Sequence, residues 1–226
     1  MRRAAVIAIA IAIAAVLALW CADPTSEVWK FDSIERIGGH AVTVEGHPRV
    51  ISTPAGKAVQ FSGVDDALFL DVHPLAGAAT FTWEVIFRPD VGGATEQRFF
   101  HLQENGTNTR LLFETRVING AWCLDSFALS GTESKALIDR GKLHSLGVWH
   151  HAAAVYDGSE YRNYVDGVLE GAAPLHLAPQ GAGRTSIGTR IDRRDYFKGA
   201  VLAARMTNRA LPPAEFLKLP RELSAP

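Results

Sequence analysis

The chain reads as an all-β protein, a sandwich of two antiparallel sheets behind an N-terminal signal segment, and three observations carry that reading. From Val28 onward, short segments rich in Val, Phe, Trp, Thr and Ile are punctuated by Gly, Pro, Asn and Asp clusters, which is the rhythm of a sandwich or barrel. The clearest of these segments alternate apolar and polar residues, as a strand with one buried and one solvated face must. Only residues 213–219 look helical, as a short turn after the last strand.

The first residues differ from everything that follows. Arg2 and Arg3 supply positive charge, and an uninterrupted apolar run occupies residues 4–19. That is the pattern of an export signal, assigned to residues 1–22, and it predicts a periplasmic or extracellular location. The run is also long enough to hold the chain at a membrane if it is not cleaved. Cys21 closes a Leu-Ala-Leu-Trp-Cys stretch similar to a lipoprotein box, although Trp20 stands where that signal wants a small residue. The membrane is therefore a partner only through an uncleaved or lipidated N-terminus. Once the signal is removed, Cys123 is the remaining cysteine, so no internal disulfide is expected and packing alone must stabilise the fold.

A chain of 226 residues with 47% hydrophobic and 21% charged residues can build one sizeable core. With no internal repeat and no composition step, a single domain is expected over residues 27–220. The formal net charge of −1 lacks the basic footprint of nucleic-acid binding, and nucleic acid is excluded as a partner.

Each predicted strand follows from its own pattern. Residues 80–88 place Phe81, Trp83, Val85 and Phe87 on one face, with Thr80, Thr82, Glu84 and Arg88 on the other, before Pro89-Asp90 ends the run. In residues 98–103, Phe99, His101 and Gln103 share a side. Residues 110–117 send Leu111, Phe113 and Val117 inward while Arg110, Glu114 and Arg116 point away. Cys123 lies in the alternating stretch 122–127, where a buried, inert thiol is expected. Later strands are predicted at residues 149–156, 161–165, 185–191 and 200–207, with Asp157-Gly158 and Asp166-Gly167 as tight hairpin turns.

Several of these segments, in this order, resemble a known family. Gly56-Lys57-Ala58-Val59-Gln60-Phe61-Ser62-Gly63-Val64-Asp65-Asp66, then Phe81-Thr82-Trp83, Trp149-His150-His151-Ala152, Tyr156-Asp157-Gly158, Tyr164-Val165-Asp166-Gly167, Ser186-Ile187-Gly188, Phe197-Lys198-Gly199 and Asn208-Arg209-Ala210-Leu211 follow its pattern. The chain resembles the laminin-G-like jelly roll of the concanavalin A-like lectin and glucanase superfamily over nearly the whole mature part. The resemblance implies a concanavalin A-like sandwich of two antiparallel sheets, with Trp149 and Tyr164 as core anchors. That superfamily spans binding modules, adhesion domains, hydrolases and lyases, so fold alone does not assign function.

The resemblance raises calcium first, because many members hold one ion with loop oxygens. Asp65 and Asp66 stand where such a loop would be, while Val201-Leu202-Ala203 replaces the acidic pair that relatives often carry. Independently, Glu84, Arg88, His101, Gln103, Arg110, Glu114, Arg116 and Arg190 are expected to line one polar sheet face. Arginines there suit a carboxylated or sulfated sugar, whose oxygens match the guanidinium fork.

For catalysis, the E-x-D-x-x-E motif of the family's retaining glucanases is absent. A lyase acting on a uronic acid needs a base, a charge neutraliser and an acid; His101, Arg116 or Arg98, and Tyr164 or Tyr156 fill those roles on paper. Tyr196-Phe197-Lys198-Gly199 is similar to a stretch of jelly-roll alginate lyases, though the laminin-G pattern accounts for the same residues. Alternation sends His150 and His151 to opposite faces, so the two cannot share one ion within a regular strand. The leading expectation is an exported carbohydrate-binding domain, recognising a glycan on one sheet face or on rim loops. A polysaccharide lyase or glycoside hydrolase on the same fold, and a protein-adhesion module, stay open beside it.

Overall fold

The structure is a computed structural model that describes residues 26–224. The expected signal at residues 1–22, Cys21 included, lies outside the described residues. In chain order the strands are β1 (Ser26–Lys30), β2 (Arg36–Ile37), β3 (His40–Ala41), β4 (Thr43–Glu45), β5 (Arg49–Thr53), β6 (Gly56–Ser62), β7 (Ala67–Leu70), β8 (Phe81–Pro89) and β9 (Glu96–Glu104). They continue as β10 (Arg110–Ile118), β11 (Ala121–Ser130), β12 (Glu133–Ile138), β13 (His144–Ser145), β14 (His150–Tyr156), β15 (Glu160–Val165), β16 (Val168–Pro174), β17 (Gly183–Ile187) and β18 (Lys198–Thr207).

Apart from β2 and β3, which pair only with each other, these strands form two large antiparallel sheets. The first runs β16-β15-β14-β8-β18-β6-β5, with β1 also on β18; the second runs β12-β11-β10-β9-β17-β7-β4, with β13 on β11. The chain thus changes sheet on either side of β4, of β7 and of β17, and also between β8 and β9 and between β13 and β14. The Asp166-Gly167 turn has φ values of 49° and 80°, the positive values a two-residue hairpin loop demands.

The main core lies between the sheets. Trp83 of the first sheet stacks on Phe113 of the second at 4.0 Å between ring centroids, and Phe87 stacks on Phe99 at 4.1 Å. Such pairs add about 0.5–1.5 kcal/mol each beyond the area they bury. Cys123 is buried, and burial pushes its thiol above the ordinary range, in keeping with an inert side chain.

Four expectations need correcting. Trp149 and Tyr164 are not between the sheets: Trp149 packs with Ile86, Leu202 and Leu223, and Tyr164 with Val155, Leu211 and Phe216, on the outer side of the first sheet. The reason is that the chain after β18 returns across that side, so β8 is buried on both faces except at Arg88. Leu223, beyond the expected boundary at 220, is part of this cover.

In β9, a register shift opposite Phe113 and Glu114 makes Phe99 the extra residue. Phe99 and Phe100 therefore both turn inward, and Phe99 does not share a side with His101 and Gln103. Lastly, β17 stops at Ile187 rather than 191. At Gly188 φ is 87°, and a Cβ would meet the Phe61 ring at 2.5 Å and the Asp66 carbonyl oxygen at 2.8 Å, so only glycine turns the chain there.

Candidate functional site

The outer face of the second sheet collects the polar residues that β9 and β10 turn away from the core, together with the loop that follows Gly188. That loop is pinned from both ends. Ser186 Oγ donates to the Thr189 carbonyl, Thr189 Oγ1 donates to the Arg194 carbonyl, and the Arg98 backbone N–H donates to the Asp195 carbonyl. Arg193 and Asp195 hold positive φ of 59° and 57°, a strain that persists only where surrounding bonds over-determine the backbone.

His101 is fully buried beneath this loop. Its Nδ1 accepts the Ile191 N–H at 3.0 Å. Acceptance at Nδ1 leaves the proton of the neutral ring on Nε2, and that nitrogen has no hydrogen-bond partner among the described residues. Burial first, then the nearby Arg190 and Arg110 guanidiniums, hold the imidazole well below its ordinary pKa.

Arg110 lies over the Phe127 ring at 4.9 Å and donates from Nη1 to the Asn108 carbonyl at 2.9 Å. Its Nε, like that of Arg190, is buried without a hydrogen bond among the described residues. Burial lowers both guanidiniums from their ordinary range, helped at Arg110 by the charge of Arg190 and at Arg190 by those of Arg194 and Arg98, against the pull of Asp192. Arg190 has Asp192 only at 3.4 Å. The buried N–H groups of His101 and Arg110 thus have no acceptor among the described residues, and Arg190, close enough to act on both, has only the long contact to Asp192; an unmet buried donor costs stability unless an acceptor is supplied. Beside Ile191, a cleft of about 170 Å³ opens between Phe69, Arg184 and Arg193.

One strand-width away, the other charges are satisfied internally. Arg98 meets Glu114 at 3.0 Å and Asp195 at 2.5 Å, while Arg116 meets Asp125 at 2.6 Å, Glu114 at 2.8 Å and Glu96 at 2.5 Å. Burial pushes the Glu114 carboxyl up to about 7, with Arg98 opposing and Asp125 adding to the rise. Two guanidiniums facing these carboxylates have little left to offer an anion. Arg116 is a structural partner here, not a free charge neutraliser.

A family model described as the concanavalin A-like lectin/glucanases superfamily matches residues 61–216. The chain belongs to that superfamily. Among solved structures it is similar to domain 4 of a GH43 extracellular arabinanase from Geobacillus stearothermophilus in complex with arabinotriose, at 16% identity and TM-score 0.63. That match covers 84% of this chain and 94% of the other. It is also similar to the binding domain of Paraclostridial Mosquitocidal Protein 1, at 10% identity, TM-score 0.62 and coverages of 84% and 50%. A third is the heptameric SAP-like pentraxin from Limulus polyphemus, at 16% identity, TM-score 0.54 and coverages of 75% and 78%. At these identities the likeness is one of fold. No curated protein matches the chain by sequence.

Within this concanavalin A-like domain, the eight residues expected on one face divide between two sheets. His101, Gln103, Arg110, Glu114 and Arg116 lie on the outer face of the second sheet, and Arg190 is in the loop above it; Gln103 donates to the Thr107 carbonyl of its own turn. Glu84 and Arg88 are on β8 of the first sheet. Glu84 is fully buried and accepts from His151 Nε2 at 3.0 Å, Arg205 Nε at 2.6 Å and the Leu217 N–H at 2.6 Å. Arg88 is paired with Asp90 and lies over Trp149. These two are corrections to the expected face: they hold the first sheet's cover in place.

The lyase constellation does not assemble either. Tyr164 packs against Phe216 outside the first sheet, and Tyr156 is in the core with its hydroxyl accepting the Leu177 N–H. Neither hydroxyl shares a face with His101.

The superfamily's calcium also meets a poor fit. Both oxygens of Asp66 already accept backbone N–H groups, from His47 at 2.6 Å and Ser62 at 2.7 Å. Asp66 staples two loops, which leaves Asp65 as the carboxylate of the pair without a hydrogen bond among the described residues, against the six to eight oxygens calcium takes. The open depression of about 670 Å³ beside it is lined by Asp65, Asp90, Arg49 and Lys198 among others, and Asp90 is committed to Arg88.

Sequence reasoning named His101, Arg110 and Arg190 but could not separate them from Arg98 and Arg116. The distinguishing signal, which guanidiniums have a carboxylate within reach, depends on pairing across strands.

Proposed function

We propose that this chain is an exported carbohydrate-binding domain that takes an anionic glycan on the outer face of its second sheet. His101 Nε2–H, Arg110 and Arg190 grip a carboxylate or sulfate of the sugar. The observation that carries this reading is that the buried N–H groups of His101 Nε2 and Arg110 Nε have no acceptor among the described residues while Arg190 Nε beside them has only Asp192 at 3.4 Å, and that the two guanidiniums repel each other. An anion satisfies all three groups and removes the repulsion at once, with charge-assisted bonds of the stronger kind. The adjacent cleft at Phe69 and Arg184 gives room for a neighbouring sugar ring. That a structural neighbour was solved with arabinotriose supports a glycan as the ligand class, and Arg2-Arg3 with the apolar run behind them supports export.

Calorimetric titration with uronate-containing, sulfated and neutral oligosaccharides of matched length tests the reading. The anionic members bind and the neutral ones do not, and affinity falls as salt is raised. Arg190→Gln and Arg110→Gln each weaken binding about 10- to 100-fold, as loss of one hydrogen bond to a charged group implies. Equal binding of neutral and anionic sugars, or variants that bind like the parent, would overturn it.

A further inference from the structure

We propose a second and separate site, in which His144, His150 and Asp166 bind a divalent transition-metal ion at the end of the sandwich where β13, β14 and the β15–β16 turn meet. One ligand atom from each residue lies within 4.8 Å of the others. None of the three belongs to the glycan face.

The surroundings of the two imidazoles point to a metal more than the cluster itself does. His150 Nε2 lies 3.0 Å from the Ser145 carbonyl oxygen, and His144 Nε2 lies 2.7 Å from Glu170 Oε1, on a side chain only 5% exposed. His150 thus has an acceptor fixed on the nitrogen turned away from Asp166, and Glu170 fixes the His144 ring. That is the outer arrangement which sets the tautomer of metal-bound histidines and strengthens them as donors.

The near side is equally constrained. His150 Nδ1 is 2.8 Å from Asp166 Oδ2, while Asp166 Oδ1 accepts the His151 N–H at 2.8 Å and the Asp166 N–H donates to the His151 carbonyl. Asp166 sits at positive φ in its tight turn, so its carboxylate is held toward the histidines. Metal–nitrogen bonds of about 2.0–2.1 Å put tetrahedral donors roughly 3.4 Å apart. Closing from 4.8 Å is a small movement for Asp166 and His144, whose side chains are 42% and 21% exposed.

Two imidazoles and one carboxylate are a borderline-soft set that suits zinc, copper or nickel rather than calcium or magnesium. Three protein ligands on an accessible rim leave a fourth position for water or an outside ligand. Where the metal-free ring carries a proton on Nδ1, toward Asp166, the ion takes its place and that proton leaves to solvent. Trp122 lies 5.0 Å and 5.2 Å from the two imidazoles, centroid to centroid, and so reports on the site.

The test uses the untagged, metal-stripped full-length chain titrated with zinc chloride in a calorimeter and with copper(II) by tryptophan fluorescence. Wild type takes up one zinc per chain at this site, and copper quenches a component of the emission that Trp122→Phe removes. His144→Gln and Asp166→Asn each weaken zinc at least tenfold; asparagine tolerates positive φ and keeps the acceptor for the His151 N–H. Circular dichroism confirms that both fold. A readout needing no variant is the imidazole ¹⁵N spectrum of the parent, in which His144 and His150 shift on zinc addition. No uptake, shifts confined to other histidines, or affinities within threefold of the parent in both variants would each sink the proposal.

Discussion

Replacing Glu84 by glutamine separates a clamp from a ligand contact. Glu84 is fully buried, and its Oε1 accepts from His151 and the Leu217 N–H while Oε2 accepts from Arg205. Glutamine has one oxygen for these two sets of donors. Whichever way it flips, its amide N–H groups face either the Arg205 guanidinium or the Leu217 N–H. Breaking one side of a buried pair costs about 3–5 kcal/mol. Arg205 is 18% exposed and keeps the Glu215 carbonyl as a second partner, so about 3 kcal/mol is expected, toward the low end of that range. For a chain of this size that is a fall in Tm of about 6–12 °C. Urea unfolding measures the free energy, and limited proteolysis should show cleavage within residues 209–224 appearing first, because the Leu217 tie is lost. Glycan affinity stays at the parent value. A stability change under about 0.5 kcal/mol, the range of ordinary surface substitutions, or loss of glycan binding at unchanged stability, would refute the assignment of Glu84 to the cover.

Two further perturbations test other parts of the account. Glu114 is raised in the folded chain to about 7 from an ordinary 4.5, so the folded state holds a proton that the unfolded state gives up. Its contribution is complete below the unfolded value and is lost as pH rises toward 7. Glu114→Gln should flatten that part of the stability–pH curve, by on the order of 3 kcal/mol at most, and identical curves for parent and variant would contradict the burial argument. Asp66→Asn leaves one of the His47 and Ser62 N–H groups facing an amide donor and costs about 1–3 kcal/mol. Millimolar calcium should leave Tm unchanged in both parent and variant, and a rise of several degrees in the parent alone would restore calcium to that loop.

The strands that alternate strictly were legible because burial on one face writes itself into every second residue. Phe81, Trp83, Val85 and Phe87 face the core as their spacing says. Nothing in a strand's own residues says which sheet it joins. Glu84 and His101 therefore read as neighbours, although the chain passes from one sheet to the other between them. The C-terminal return over β8 was invisible for a related reason. Its anchors are Leu211 N–H on Thr82 and Leu217 N–H on Glu84, contacts more than a hundred residues apart in sequence. The inserted Phe99 broke the period-two pattern in β9, since an extra residue returns the next side chain to the same face. His144 gave no sign of its company with His150 and Asp166, because β13 of the second sheet, the start of β14 in the first and the β15–β16 turn bring them together.

His101 presents an N–H that nothing among the described residues accepts. Proton-detected ¹⁵N spectra of the imidazole rings, recorded while a sulfated or uronate oligosaccharide is added, address it directly. The account predicts that His101 stays the Nε2-protonated tautomer and that its Nε2–H resonance moves saturably with the sugar, in step with the calorimetric isotherm. A resonance that stays fixed while the sugar binds would contradict it, and so would an Nδ1-protonated ring in the free protein.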